Sequence, residues 1–159
     1  MSSLIYVSIN GSAQGNISAG CCSVDSIGNR GQLTHNDQIL VHCLNHSLTR
    51  EQNVNHHPLA FQKPIDKSSP LLAVAASNNE KLSLEYYIYR TNQNGSQELY
   101  FKIKLTEATI SDISTCFPHS VEYNDADPYE TISVKYTSIT WSHIIAGTSG
   151  YSIWDDRVY

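Results

Sequence analysis

The order of residues in this chain predicts an all-β, mainly antiparallel fold with one short helix, and three observations carry that reading. Short β-branched and aromatic segments recur at close spacing between stretches rich in Asn, Gly and Pro. A single apolar run, residues 71–76, follows a helix-start signature. No alternation of strand and helix, the mark of a parallel sheet, is visible. About seven strands and one helix pack as an antiparallel barrel or sandwich.

The elements follow in order. Residues 4–9 form a β-branched and aromatic first strand that is expected to stop at Asn10-Gly11, a dipeptide that suits a tight turn. Gly15, Gly20, Gly28 and Gly31 lie among Asn and Ser, which predicts a short strand at 17–24 and an open loop running through Asp37. Residues 38–50 alternate as one strand, with Leu40, His42, Leu44, His46 and Leu48 on one face and Val41, Cys43, Asn45 and Ser47 on the other. Residues 58–65 form another, with Leu59, Phe61 and Lys63 on one side and a proline that places it at an edge or a strand end.

Ser68-Ser69 supply an N-cap hydroxyl, Pro70 sits where its missing N–H costs nothing, and Asn78 or Asn79 ends the helix. Two turns of helix are marginal alone, so this one requires a sheet to pack on. Residues 82–91 and 98–106 read as a hairpin about Asn92-Gln-Asn-Gly-Ser96. Residues 108–116 and 130–141 read as a second antiparallel pair, and the tail from Gly147 holds a terminal strand.

Composition sets bounds. The chain has 159 residues, 40% of them hydrophobic and 16% charged, which describes one folded domain over residues 1–159 rather than a disordered chain. Ten basic against fifteen acidic residues give a net charge of -5, which argues against nucleic acid as a partner. No apolar run approaches the roughly 20 residues of a membrane span, and the N-terminus lacks the basic start and long apolar centre of a cleavable signal. The four cysteines read accordingly as reduced thiols.

Motifs for chemistry are sparse. Cys21 and Cys22 are adjacent and point to opposite faces if extended, Cys43 and Cys116 have no partner at ligand spacing, and His42 and His46 stand roughly 13 Å apart along a strand. No metal site and no cofactor are expected. His56-His57 read as a polar strand entry, with a pH switch as the alternative. There is no Gly-x-Ser-x-Gly elbow, no cysteine-enzyme signature and no phosphate loop, so no catalytic residue is expected. The sequons at Asn10, Asn16, Asn45 and Asn94 read as turn-rich matches.

Strand composition stands out instead. Tyr86, Tyr87, Ile88 and Tyr89 place bulky groups on both sides of one strand, and Tyr100, Phe101 and Ile103 do nearly the same in its partner. Either the tyrosines lie flat with their hydroxyls in water, or neighbouring copies cover them with contacts of about 1,000 Å² or more.

Several segments carry a resemblance. These are Gly15-Asn-Ile-Ser-Ala-Gly-Cys-Cys, Asp25-Ser-Ile-Gly-Asn-Arg, Ser47-Leu-Thr-Arg, Lys63-Pro-Ile-Asp-Lys-Ser-Ser-Pro-Leu-Leu, Tyr89-Arg-Thr-Asn-Gln, Tyr136-Thr-Ser-Ile-Thr-Trp and Gly147-Thr-Ser-Gly-Tyr-Ser-Ile-Trp. Spread from Gly15 to Trp154, they carry a likeness over nearly the whole chain, which resembles the haemolysin-coregulated protein (Hcp) family of type VI secretion, of the enterobacterial type. The resemblance implies a two-sheet β-barrel with one short flanking α-helix, assembled into a hexameric ring. Rings stack into the hollow inner tube of the secretion apparatus. The implied partners are further copies of the chain, the sheath, the spike and small effectors carried in the lumen, for which the subunit acts as receptor and chaperone. The implied course is cytosolic, then export with the tube, without a signal peptide and without catalysis.

Carried over position by position, the resemblance makes Lys63, Asp66, Lys67 and Ser68, with Arg30 from the early loop, the expected subunit interface. Val41, Cys43, Asn45 and Ser47 become the expected lumen-facing set. The pair Cys21-Cys22 departs from the family, where one cysteine is expected. Two readings of other classes stand beside this one: a monomeric β-barrel that binds a small apolar ligand, and a thiol enzyme built on Cys43 or Cys116.

Overall fold

A computed structural model describes residues 3–123 and 125–155, without the side chains of Arg30 and Leu33. The strands are β1 (Ser3–Gly11), β2 (Gly15–Asn16), β3 (Ile39–Val41), β4 (Cys43–Asn45), β5 (Leu48–Arg50), β6 (Val54–His56), β7 (Leu59–Pro64), β8 (Leu82–Thr91), β9 (Gln97–Cys116), β10 (Tyr129–Lys135), β11 (Ser138–His143) and β12 (Thr148–Ile153). The helices are the single turn α1 (Val24–Ile27) and α2 (Ser69–Ser77), with two 3-10 turns at Gly28–Arg30 and Leu33–His35.

β9 organises the fold. Its first half pairs with β8 and β11, and its second half, from Thr109, pairs with β10. The bend between the halves falls at Glu107, a non-glycine residue at φ 49°. The expected separate strands over 98–106 and 108–116 are thus one long strand that changes sheets. The reverse happens after β10, where the expected strand over 130–141 divides at Tyr136-Thr137. There the Thr137 N–H donates to the Thr106 carbonyl at 3.0 Å and hands the chain from one sheet to the other.

Residues 38–50 divide for a similar reason. β3 pairs with β1, β4 pairs with β7, and between them the His42 N–H reaches the Gln62 carbonyl at 2.7 Å. Residues 39–45 therefore touch both sheets. The ladder path runs β2-β1-β8-β9-β10-β7-β4 and does not close, so the expected barrel is, among the described residues, an open two-sheet arrangement bridged by that segment. β5 and β6 form a separate two-stranded hairpin.

The early loop also differs from expectation. Asn10 and Gly11 stay in β1, opposite Asn16 and Gly15, and the turn occupies residues 12–14. The Glu80 carboxylate lies against Gly11 where a Cβ would stand, so a side chain there would displace it. No strand forms over 17–24: Gly20 at φ 69° breaks the extended run, and Cys21 and Cys22 fold into the interior.

The core lies between the two sheets. Val7, Ile9, Leu84 and Leu105 from one meet Leu59, Phe61, Ile132 and Val134 from the other, and Leu72 and Ala75 of α2 seal one side. These two helix residues are three apart, which puts them on one face. Ser68 precedes α2 in a helical conformation and caps nothing with its side chain; its hydroxyl donates to Asp66 instead.

Candidate functional site

Three of the expected interface residues are buried. Lys63 continues the inward face of β7 after Leu59 and Phe61, and its ammonium is withdrawn from solvent. It donates to Asp66 Oδ1 at 2.9 Å, to the Pro64 carbonyl at 3.1 Å and to Ser69 Oγ at 3.3 Å, and it pairs with the Glu130 carboxylate of β10. Ser69 Oγ donates to Glu130 Oε1 at 2.9 Å, and the Ser68 amide to Asp66 Oδ1 at 2.9 Å. Charges leave water only when paired and hydrogen-bonded, and this cluster meets both conditions while tying β7, β10 and the start of α2 together. Lys63, Asp66 and Ser68 are thus corrected from surface contacts to an internal staple.

Lys67 alone of that segment is exposed. Its amide donates to Ser26 Oγ at 2.8 Å, and an open groove of about 500 Å³ runs beside it between Gly20, Ser23, Asp25, Ser26 and Ile65. Arg30's side chain lies outside the described residues.

The expected lumen set divides at the change of partner. Val41 is 4% exposed and belongs to the core, which corrects its assignment. Cys43, Asn45 and Ser47 are exposed, while Leu44 between them packs against the core. The chain slips phase at His42, so a strict two-residue period does not hold across it.

The tyrosines of β8 find most of their cover inside the chain. Tyr86 is fully buried edge-on to Phe61, with its hydroxyl unpartnered and held well above its usual pKa by burial. Tyr89 packs on His35 and Tyr6, and Lys102 lies 5.2 Å over the Tyr87 ring. The apolar surface that does face solvent lies elsewhere, in places no periodicity marked. Phe117, Val121 and Tyr123 are 68%, 78% and 59% exposed in the loop after β9. Ile144, Ile145 and Tyr151 stand out at the β11–β12 hairpin. The Ile144 amide donates to the Tyr100 carbonyl, so the two sets flank opposite ends of β9.

His56 belongs to a buried polar cluster and does more than open a strand. His56 is buried, and its Nδ1 lies 2.8 Å from the Tyr136 hydroxyl while its Nε2 lies 2.9 Å from Ser152 Oγ. His46 Nε2 meets the same Tyr136 oxygen at 2.7 Å. Burial lowers the pKa of both rings, and the neighbouring His56 and His57 depress His46 further. Burial pushes Tyr136 up to about 12, so it keeps its proton.

All four cysteines are free, and burial raises the Cys21 thiol to about 12 and Cys22 in the same direction. Among the described residues no three His, Cys, Asp or Glu side chains converge on a metal position, and no helix is long and apolar enough to cross a membrane.

The family model described as "Type VI secretion system effector, Hcp" matches residues 6–143. This chain belongs to the Hcp family. Its relatives include the Major exported protein of Pseudomonas aeruginosa, 35% identical across 99% of both chains. The uncharacterized protein YhhZ of Escherichia coli is 38% identical over 93% of this chain, which spans 37% of YhhZ. Among solved structures, the crystal structure of an Hcp protein superposes with a TM-score of 0.91 at 32% identity, covering 98% of this chain and 99% of that one. The secreted protein Hcp3 from Pseudomonas aeruginosa gives 0.88 at 36% identity, covering 98% and 100%. The molecule is therefore an Hcp protein of type VI secretion, and its mainly antiparallel β fold is the Hcp fold.

Proposed function

We propose that this Hcp chain is the structural subunit of a type VI secretion inner tube. Six copies close head-to-tail into a ring, rings stack into a hollow tube, and the tube leaves the cell carrying small effectors in its lumen. The sheath outside and the spike at the tip are its proposed partners. The observation that carries this reading is the match to an exported protein along 99% of both chains.

Two surface features support it. A head-to-tail contact joins two different patches, and two different apolar sets flank the ends of β9, Phe117 with Val121 and Tyr123 at one and Ile144 with Ile145 at the other. The exposed row of Cys43, Asn45 and Ser47 is small and polar, as a lumen wall that must release its cargo requires. Lys67, ahead of α2, and Arg30 of the early loop remain the proposed contact residues.

Negative-stain imaging of the purified chain tests the reading. Annular particles with an empty centre are the expected result, and a uniform field of small solid particles at all concentrations would refute the ring.

A further inference from the structure

We propose that the His46–Tyr136–His56 bridge is an acid-released latch that holds the β5–β6 hairpin against the body of the protein. This stands apart from the assembly reading, since the groups involved all lie within one chain.

The hairpin over residues 48–56 pairs with no other strand among the described residues. Side chains at its two roots hold it. His46, two residues before β5, and His56, at the end of β6, converge on the Tyr136 hydroxyl at 2.7 and 2.8 Å. His56 also meets Ser152 of β12 and stacks on Trp154 at 5.6 Å, while Trp154 stands edge-on to Tyr136 at 4.9 Å.

Proton counting makes the bridge sensitive to acid. A hydroxyl has one proton, so it donates to one ring and accepts from the other. With both rings neutral every bond is made: His46 Nε2–H to Tyr136, Tyr136 O–H to His56 Nδ1, and His56 Nε2–H to Ser152, or the same chain reversed. One added proton on His56 is accommodated by reversal, but it leaves a cation among Tyr136 and Trp154. A second, on His46, aims two N–H donors at one oxygen and strands the hydroxyl proton between two positive rings.

No carboxylate contacts either ring in the bonds above. The titratable groups that face the pair are Tyr136, which stays protonated, and His57, whose Nε2 lies 3.1 Å from Thr49 Oγ1 and whose own charge would add to the repulsion. Arg50 and Glu51 on the hairpin, Lys135 beside Tyr136, and Tyr151 and Asp155 on either side of Ser152 and Trp154 are exposed to solvent. His143, on β11 beyond Trp141, turns to Tyr100 and Phe101.

Hydrogen exchange on the full chain, corrected for intrinsic rates, tests the latch. Between pH 7.5 and pH 5.0, amide protection in residues 48–56 should fall about tenfold relative to the β8–β9 ladder. The imidazole resonances of His46 and His56 should titrate with the same midpoint as that loss. In Tyr136→Phe, which keeps the ring and loses the bridge, hairpin protection should already be reduced at pH 7.5. Constant hairpin protection, loss in step with β8–β9, or wild-type protection in Y136F would each overturn the latch.

Discussion

Lys63 Nζ stands 2.9 Å from Asp66 Oδ1 with both side chains withdrawn from solvent, and the Glu130 carboxylate completes the cluster from the next strand. A single ammonium thus serves two carboxylates in the interior, beneath the first turn of α2. Removing it leaves two buried negative charges without their cation.

The consequence for stability is large. Replacing Lys63 with Met should cost about 3–5 kcal/mol, the range for breaking a buried ion pair on one side. Urea unfolding should show the midpoint falling with the slope unchanged. A loss under about 1 kcal/mol would mean that the cluster is solvated in solution.

Tyr86 makes the opposite case. Its buried hydroxyl has no hydrogen-bond partner, and such a group costs about 1–3 kcal/mol. Tyr86→Phe should therefore leave the thermal midpoint unchanged or raise it, as read by calorimetry; a clear drop would show that the hydroxyl is bonded.

Glu107 bends β9 at φ 49°, a conformation that costs a side chain about 1–2 kcal/mol. Glu107→Gly should be neutral or stabilising by up to about 1 kcal/mol, and Glu107→Val destabilising. Equal midpoints for the two variants would contradict the bend as described.

Thiol reactivity should follow burial. Cys43 is exposed and should label first at pH 7.5, whereas Cys21 and Cys22, interior and with raised pKa values, should resist until the chain unfolds. The sign is that of a thiol held neutral in the fold: the contribution is complete below the unfolded thiol pKa and lost as pH rises towards about 12 at Cys21. Rapid labelling of Cys21 in the native protein would contradict its placement.

Much of the architecture was legible in local chemistry. Pro70 and the small apolar run after it mark α2. Asn92 marks the hairpin, its side-chain oxygen accepting from the amides of Asn94 and Ser96 while Gly95 takes the positive φ. What failed was continuity. Nothing about Glu107 announces a left-handed residue inside a strand, and nothing about His42 announces a change of partner, because both depend on which sheet lies nearby. The buried staple did leave a trace: Lys63 falls on the same face as Leu59 and Phe61, and a charge on an apolar stripe signals a buried partner. Its partner Glu130 lies 67 residues away, which periodicity cannot reach.

The mass of the purified chain in solution, by light scattering at micromolar concentration, bears most directly on the tube reading. A particle of six times the 17.7 kDa chain is the predicted result. A mass of one chain at every concentration would contradict it.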